Sequence, residues 1–167
     1  MALGKIDSIF RYPVKSMMGE KIEETQLTSN GVLGDRVWAV RDEVRGGIRG
    51  AKKIPQLMQL SAACVSEPKE QGSEPAAVTL ADGEVIRTDD KNINVRLSQA
   101  LNHEVTIWPI MPKEQLDHYR RGAPDSDDLE MKLRQFFGRT QDGPLPDLSI
   151  FPPEILEYES PPGTYFD

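Results

Sequence analysis

Tyr12-Pro13-Val14-Lys15-Ser16 and, beyond the turn residues Asn30-Gly31, Gly34-Asp35-Arg36-Val37-Trp38 are the two stretches on which the fold turns. Each sets one strong cation at the end of a short apolar, strand-like run, where the adjoining turn aims backbone N–H groups and the cation at one anion. Around them strand follows strand. Residues 5–10 and 21–28 alternate moderately, with Met18-Gly19-Glu20 as the turn of a hairpin, and 36–41 alternates about Trp38 before Gly46-Gly47 turns the chain into 48–53. Pro55 opens a short helical turn through Met58, because proline is tolerated at a helix start. A strand over 60–66, a polar loop over 68–75, and strands 77–80 and 85–88 flanking the hairpin pair Asp82-Gly83 complete this region.

The first clear helix spans 92–101, with Asp89 or Asp90 as cap, Ile93, Val95, Leu97 and Leu101 as apolar positions and Asn102 as stop; a last strand occupies 103–109. This run of short strands with turn chemistry between them predicts an α+β, mainly β domain, barrel-like or a strongly curled sheet with short helices. Past residue 110 the character changes: eight of the 13 prolines lie there, and only 127–137 carries helical periodicity, with Leu129, Leu133, Phe136 and Phe137 on one face and Gly138 as stop. The predicted division is therefore 1–110 for the β domain and 111–167 for a Pro-rich, partly helical extension.

Composition narrows the function classes. A chain of 167 residues is long enough to bury a real core, and no apolar run approaches the roughly 20 residues of a membrane-spanning helix. Residues 1–5 lack the apolar core of a signal peptide, so a cytoplasmic protein with no membrane partner is expected. Residues 1–64 carry ten Lys/Arg against seven Asp/Glu, a net of +3, while 65–167 carry ten against 20, a net of -10. A net-acidic chain without a dense basic stripe is a poor nucleic-acid binder, whereas one phosphate-bearing ligand suits the basic N-terminal part. The single Cys64 excludes an internal disulfide, and with His103 and His118 as the only histidines no metal site is expected.

Other constellations are weaker. Lys15-Ser16 reads equally as a solvated strand end, and Arg36 as a surface partner of Asp35 or Glu20. Asp125, Asp127 and Asp128 lack the glycine and terminal glutamate of a calcium loop and read as helix-start charges. Gly46-Gly47-Ile48-Arg49-Gly50 lacks the Lys-Ser/Thr of a phosphate loop, and Ser61, Ser98 and Ser149 lack any nucleophile-elbow context. Cys64 sits in an apolar run where a buried, inert thiol is expected.

The Tyr-Pro-Val-Lys-Ser segment, Gly-x-x-Gly-Asp-Arg-x-Trp at 31–38, Ala51-Lys52-Lys53-Ile54-Pro55-x-Leu57-Met58, Val78-Thr79-Leu80 with Asp82-Gly83, Leu97-Ser98, and Pro161-Pro162-Gly163-Thr164-Tyr165-Phe166-Asp167 together resemble the N-terminal β-barrel domain of MOSC (molybdenum cofactor sulfurase C-terminal) proteins. The resemblance implies that Lys15, Ser16 and Arg36 help hold the phosphate or pterin of molybdenum cofactor, with Lys52 standing where relatives often carry Arg. Relatives continue beyond the matching 161–167 segment into a MOSC domain that supplies the molybdenum-ligating cysteine, so this chain resembles an excised N-terminal domain or a naturally shortened homologue, and alone it is expected neither to retain the cofactor firmly nor to catalyse. In the intact protein the resemblance implies a reductase of N-hydroxylated compounds with a ferredoxin-like or other electron-donor partner. Sulfur transfer is the alternative, and a noncatalytic docking module is the reading from another class.

Overall fold

Trp38–Asp42 (β5) is the axis on which the rest is assembled. The structure, a computed structural model, describes residues 4–123, 129–147 and 157–166. β5 is buried at Trp38, Ala39, Val40 and Asp42, because both of its faces are covered. Along one edge it pairs antiparallel with Val105–Pro109 (β10). Along the other, Ile48–Arg49 (β6) covers Val40 and Arg41, and Val14 forms a parallel bridge to Trp38.

The remaining strands make three more antiparallel sheets. Ile9–Arg11 (β1) pairs with Glu20–Ile22 (β2), and Leu27–Thr28 (β3) with Gly31–Val32 (β4). Ser61–Cys64 (β7), Ala76–Thr79 (β8) and Val85–Arg87 (β9) form a meander whose last turn carries Asp82 and Gly83 at φ 89°. Between β6 and β7 lies a 3₁₀ turn, Pro55–Gln59, with proline at its start. Helix Ile93–Leu101 (α1) buries Ile93, Leu97 and Leu101 on one face and ends where Asn102 adopts φ 48°. Asp90 accepts the Asn92 N–H (2.7 Å) before it, whereas Asp89 pairs with Arg87. Leu116–Tyr119 (α2) and Leu129–Phe136 (α3) follow β10.

The mainly β, α+β architecture is as expected, but among the described residues the strands do not close into a barrel. They form separate sheets of two or three strands, two to five residues long. The cause is local. The strand predicted over 21–28 is broken at exposed Glu23-Glu24, the one over 48–53 stops where Gly50 O accepts the N–H groups of both Lys53 and Ile54, and exposed Ile6 keeps 5–8 out of β1. Val95, predicted as an apolar position of the helix, is 57% exposed. Asp125, Asp127, Asp128 and Ser149 lie outside the described residues, as do the side chains of Leu129 and Phe136; Leu133 and Phe137 are half-buried.

Two cores sit on opposite faces of β5. The larger holds Val14, Met17, Trp38, Val40, Leu57, Leu60, Val78, Leu97, Leu101, Val105 and Ile107. The smaller joins Ala39 and Ile48 to Tyr119 and Tyr165, so residues from both ends of the chain meet behind the sheet. Among the described residues no helix is long and apolar enough to cross a membrane.

Candidate functional site

The β1–β2 hairpin has no tight turn at 18–20; its connection is the whole segment 12–19, which is the first motif. This segment stitches the larger sheets together. Lys15 N–H donates to Trp38 O (2.9 Å) and Trp38 N–H to Pro13 O (3.0 Å), while Met18 N–H donates to Leu60 O (2.9 Å) and Ala62 N–H to Met18 O (2.8 Å). The second motif is locked to the first from its other side. Tyr12 N–H donates to the Asp35 carboxylate (2.7 Å), and Arg36 N–H donates to Tyr12 O (2.7 Å).

The clamp holds two side-chain-bearing residues in left-handed backbone, Ser16 at φ 63° and Arg36 at φ 51°. Each such conformation costs roughly 1–2 kcal/mol for a residue with a Cβ. The surrounding backbone hydrogen bonds offset that cost and fix the direction in which both side chains leave the chain.

Lys15, Ser16, Arg36 and Lys52 line one cavity of about 460 Å³, together with Lys53, Gly50, Tyr12, Met18, Met58, Glu159 and Phe166. All four residues singled out in the sequence are thus brought together. Lys52 and Lys53 are exposed at the rim, where Tyr12, Met18, Met58 and Phe166 also present apolar surface to solvent. Arg36 donates from Nη1 to Asp35 Oδ2 (2.8 Å), so the surface-pair reading of this residue and the cavity-lining reading are both realised.

Lys15 is not the solvated strand end that the sequence also allowed. Its side chain is 3% exposed, and its ammonium donates to the carbonyls of Tyr165 (3.4 Å) and Phe166. The wall contributed by 159–166 had no local signal as a site: it rests on a contact spanning 150 positions and on neutral carbonyls. Tyr165 is buried, donates its hydroxyl to Pro109 O (2.6 Å) and lies 2.7 Å from His118 Nε2, which therefore carries the proton on that nitrogen. Burial raises the pKa of Tyr165, and the neighbouring Tyr119 adds to the shift. His118 is buried against Trp108, Tyr119 and Tyr165. Its pKa is lowered by desolvation and by Arg41, which favours the neutral ring.

Cys64 does not line the cavity. Burial pushes its thiol up to about 12, against a lowering by Arg11 and with Glu20 adding to the rise. At pH 8 its reaction with a disulfide reagent is expected to be at least about a hundredfold slower than that of a free thiol, and to recover in denaturant. A stopped-flow trace at the free-thiol rate in the folded protein would contradict this. Among the described residues no group of three or more His, Cys, Asp or Glu is placed to hold a metal ion.

Comparison with known proteins bears on the family. The family model described as the MOSC N-terminal beta barrel domain matches residues 3–114. A molybdenum cofactor sulfurase from Solanum lycopersicum is 38% identical over 56 residues, which cover 34% of this chain and 7% of that protein.

Proposed function

The chain belongs to the MOSC N-terminal beta barrel domain family, and from that premise we propose that its cavity holds the phosphate-bearing end of molybdenum cofactor in the full-length protein. The observation that carries this reading is the convergence of Lys15, Ser16, Arg36 and Lys52 on one concave surface. The donor set fits a phosphate. A guanidinium, ammonium groups and a short hydroxyl in one concavity supply charge-assisted hydrogen bonds, and the apolar rim suits a flat organic body attached to the anion. Arg36 and Ser16 bind and orient, Lys52 and Lys53 draw the anion in at the rim, and Met18 and Met58 offer apolar surface beside it.

When bound, the cofactor supplies the metal and sulfur chemistry. No cysteine lines this cavity, so the thiolate that would ligate molybdenum or carry sulfur is assigned to another domain. On this reading the domain shapes the substrate side of a molybdenum-dependent reductase of N-hydroxylated compounds, or serves sulfur transfer. The likeness to a protein named molybdenum cofactor sulfurase supports sulfur transfer.

The test is the molybdenum and pterin content of the purified full-length protein. Arg36→Ala is expected to remove about 1.5–3 kcal/mol of charge-assisted binding, a tenfold to hundredfold loss of affinity, while Cys64→Ser leaves the content unchanged. Wild-type content in the Lys15→Ala/Arg36→Ala double variant would remove this domain from cofactor binding and favour the docking-module reading.

A further inference from the structure

The last described residues are built as an occupant of the cation cavity. Ser160 Oγ donates to Phe166 O (2.8 Å), and the Lys15 ammonium donates to the same oxygen and to Tyr165 O (3.4 Å). Two backbone acceptors therefore converge on a cation that is 3% exposed. Between Ser160 and Phe166 the chain makes a closed turn: Thr164 N–H and Oγ1–H both donate to Pro161 O, at 3.1 and 2.7 Å. Tyr165 fastens that turn from behind through Pro109 O and His118. Among the described residues the Phe166 ring has no such anchor, and the residue is 49% exposed. With Arg36, Phe166 lines both the cation cavity and a neighbouring cavity of about 620 Å³.

From this arrangement, and resting on the reading of the cavity as an anion site, we infer that the loop 160–166 is an internal competitor for Lys15. With no anion bound, the Tyr165 and Phe166 carbonyls hold the ammonium. An incoming phosphate takes their place, and the Phe166 carbonyl swings away about the fixed Tyr165 ring. Lone pairs decide the competition. Carbonyl oxygens aimed at the ammonium repel phosphate oxygens approaching it, so both sets of acceptors cannot share one face of Lys15. A dianion offers the stronger partner at a site shielded from water. Movement of Phe166 also removes part of the wall between the two cavities, making room for an organic body beyond the phosphate. Ligand binding and the path of the chain leaving Phe166 are thereby linked, each opposing or favouring the other by the same factor.

The experiment is titration of the full chain with inorganic phosphate by calorimetry, with the heteronuclear NOE of the Phe166 amide followed by NMR. Ser160→Ala removes one hydrogen bond that seats Phe166, leaves every cation in place, and is expected to tighten phosphate binding about fivefold, the value of one ordinary hydrogen bond. Ser160→Thr, which keeps the hydroxyl, is expected to bind as the wild type. In the wild type, saturating phosphate is expected to lower the Phe166 NOE. Phosphate binding that is equal or weaker in Ser160→Ala, with an unchanged Phe166 signal, overturns the competition while leaving the anion site standing. No binding in any variant overturns both.

Discussion

Lys15→Met in the full-length protein is expected to lower cofactor content by tenfold to a hundredfold and, in the isolated chain, to cost about 2 kcal/mol of stability. Two consequences follow from one side chain. Methionine keeps most of the length and apolar packing of the lysine stem, so the change isolates the ammonium. Lys15 is 3% exposed, and its ammonium meets the carbonyls of Tyr165 and Phe166. Its removal leaves Tyr165 O without this donor in a buried place, a cost of roughly 1–3 kcal/mol, partly offset because a buried charge no longer has to be desolvated. Urea denaturation checks the stability effect and metal analysis the binding effect. The variant also separates roles that Ser160→Ala holds together: both release the tail, but only Lys15→Met removes a cation. Phosphate affinity is therefore expected to fall in Lys15→Met and to rise in Ser160→Ala. Wild-type stability together with wild-type cofactor content in Lys15→Met would show that the ammonium matters to neither tail nor ligand.

The cavity was legible in the sequence because its cations stand at the ends of apolar runs, and apolar runs next to turns become strand ends in one core. Lys15 follows Val14, which is fully buried; Arg36 precedes Trp38, which is 7% exposed. Once Val14 bridges Trp38, the two cations have little choice but to share a rim. Lys52 came from the family resemblance alone, and buried Ile54 and Leu57 fix the turn that carries it. The back wall was not readable. Tyr165 and Phe166 contribute to the site through backbone oxygens, which every residue has, and through a burial that depends on Ala39, Ile48 and Tyr119 packing behind β5. Single-sequence periodicity carries no information about such a contact. Sheet closure failed for a different reason: the alternation over 21–28 and 48–53 is real, but two glutamates and Gly50 interrupt the ladder before it can extend.

The same long-range contact makes Gly122 the most sensitive small residue behind the sheet. A Cβ placed on it would lie 1.7 Å from Gly46 O and 2.6 Å from Arg45 O, both of them backbone atoms. The opposing Gly47 stands at φ 77°, and a Cβ there would lie 2.4 Å from Gly122 N. Neither strand of this crossing can yield without losing Ala123 N–H to Arg45 O (2.6 Å) and Arg49 Nη2 to Ala123 O (2.8 Å). Arg121 N–H in turn holds Glu157 O (2.9 Å), and Arg120 forms an antiparallel bridge to Tyr158, so the displaced segment would take the start of the tail with it. Gly122→Ala is therefore expected to cost about 3 kcal/mol or more, the range of overpacking and lost buried hydrogen bonds combined, and to lower the melting temperature by roughly 6–12 °C. Gly83→Ala is the control: its Cβ meets nothing within 4 Å, and only its φ of 89° is unfavourable, so a loss near 1 kcal/mol is expected. Calorimetric scans of the two variants separate steric overlap from backbone strain. A melting temperature for Gly122→Ala at or above that of Gly83→Ala would mean that the 45–47 turn and the 120–123 segment are not packed against each other in solution. In that event the tail would lose its seat, and Lys15 the carbonyls that hold it.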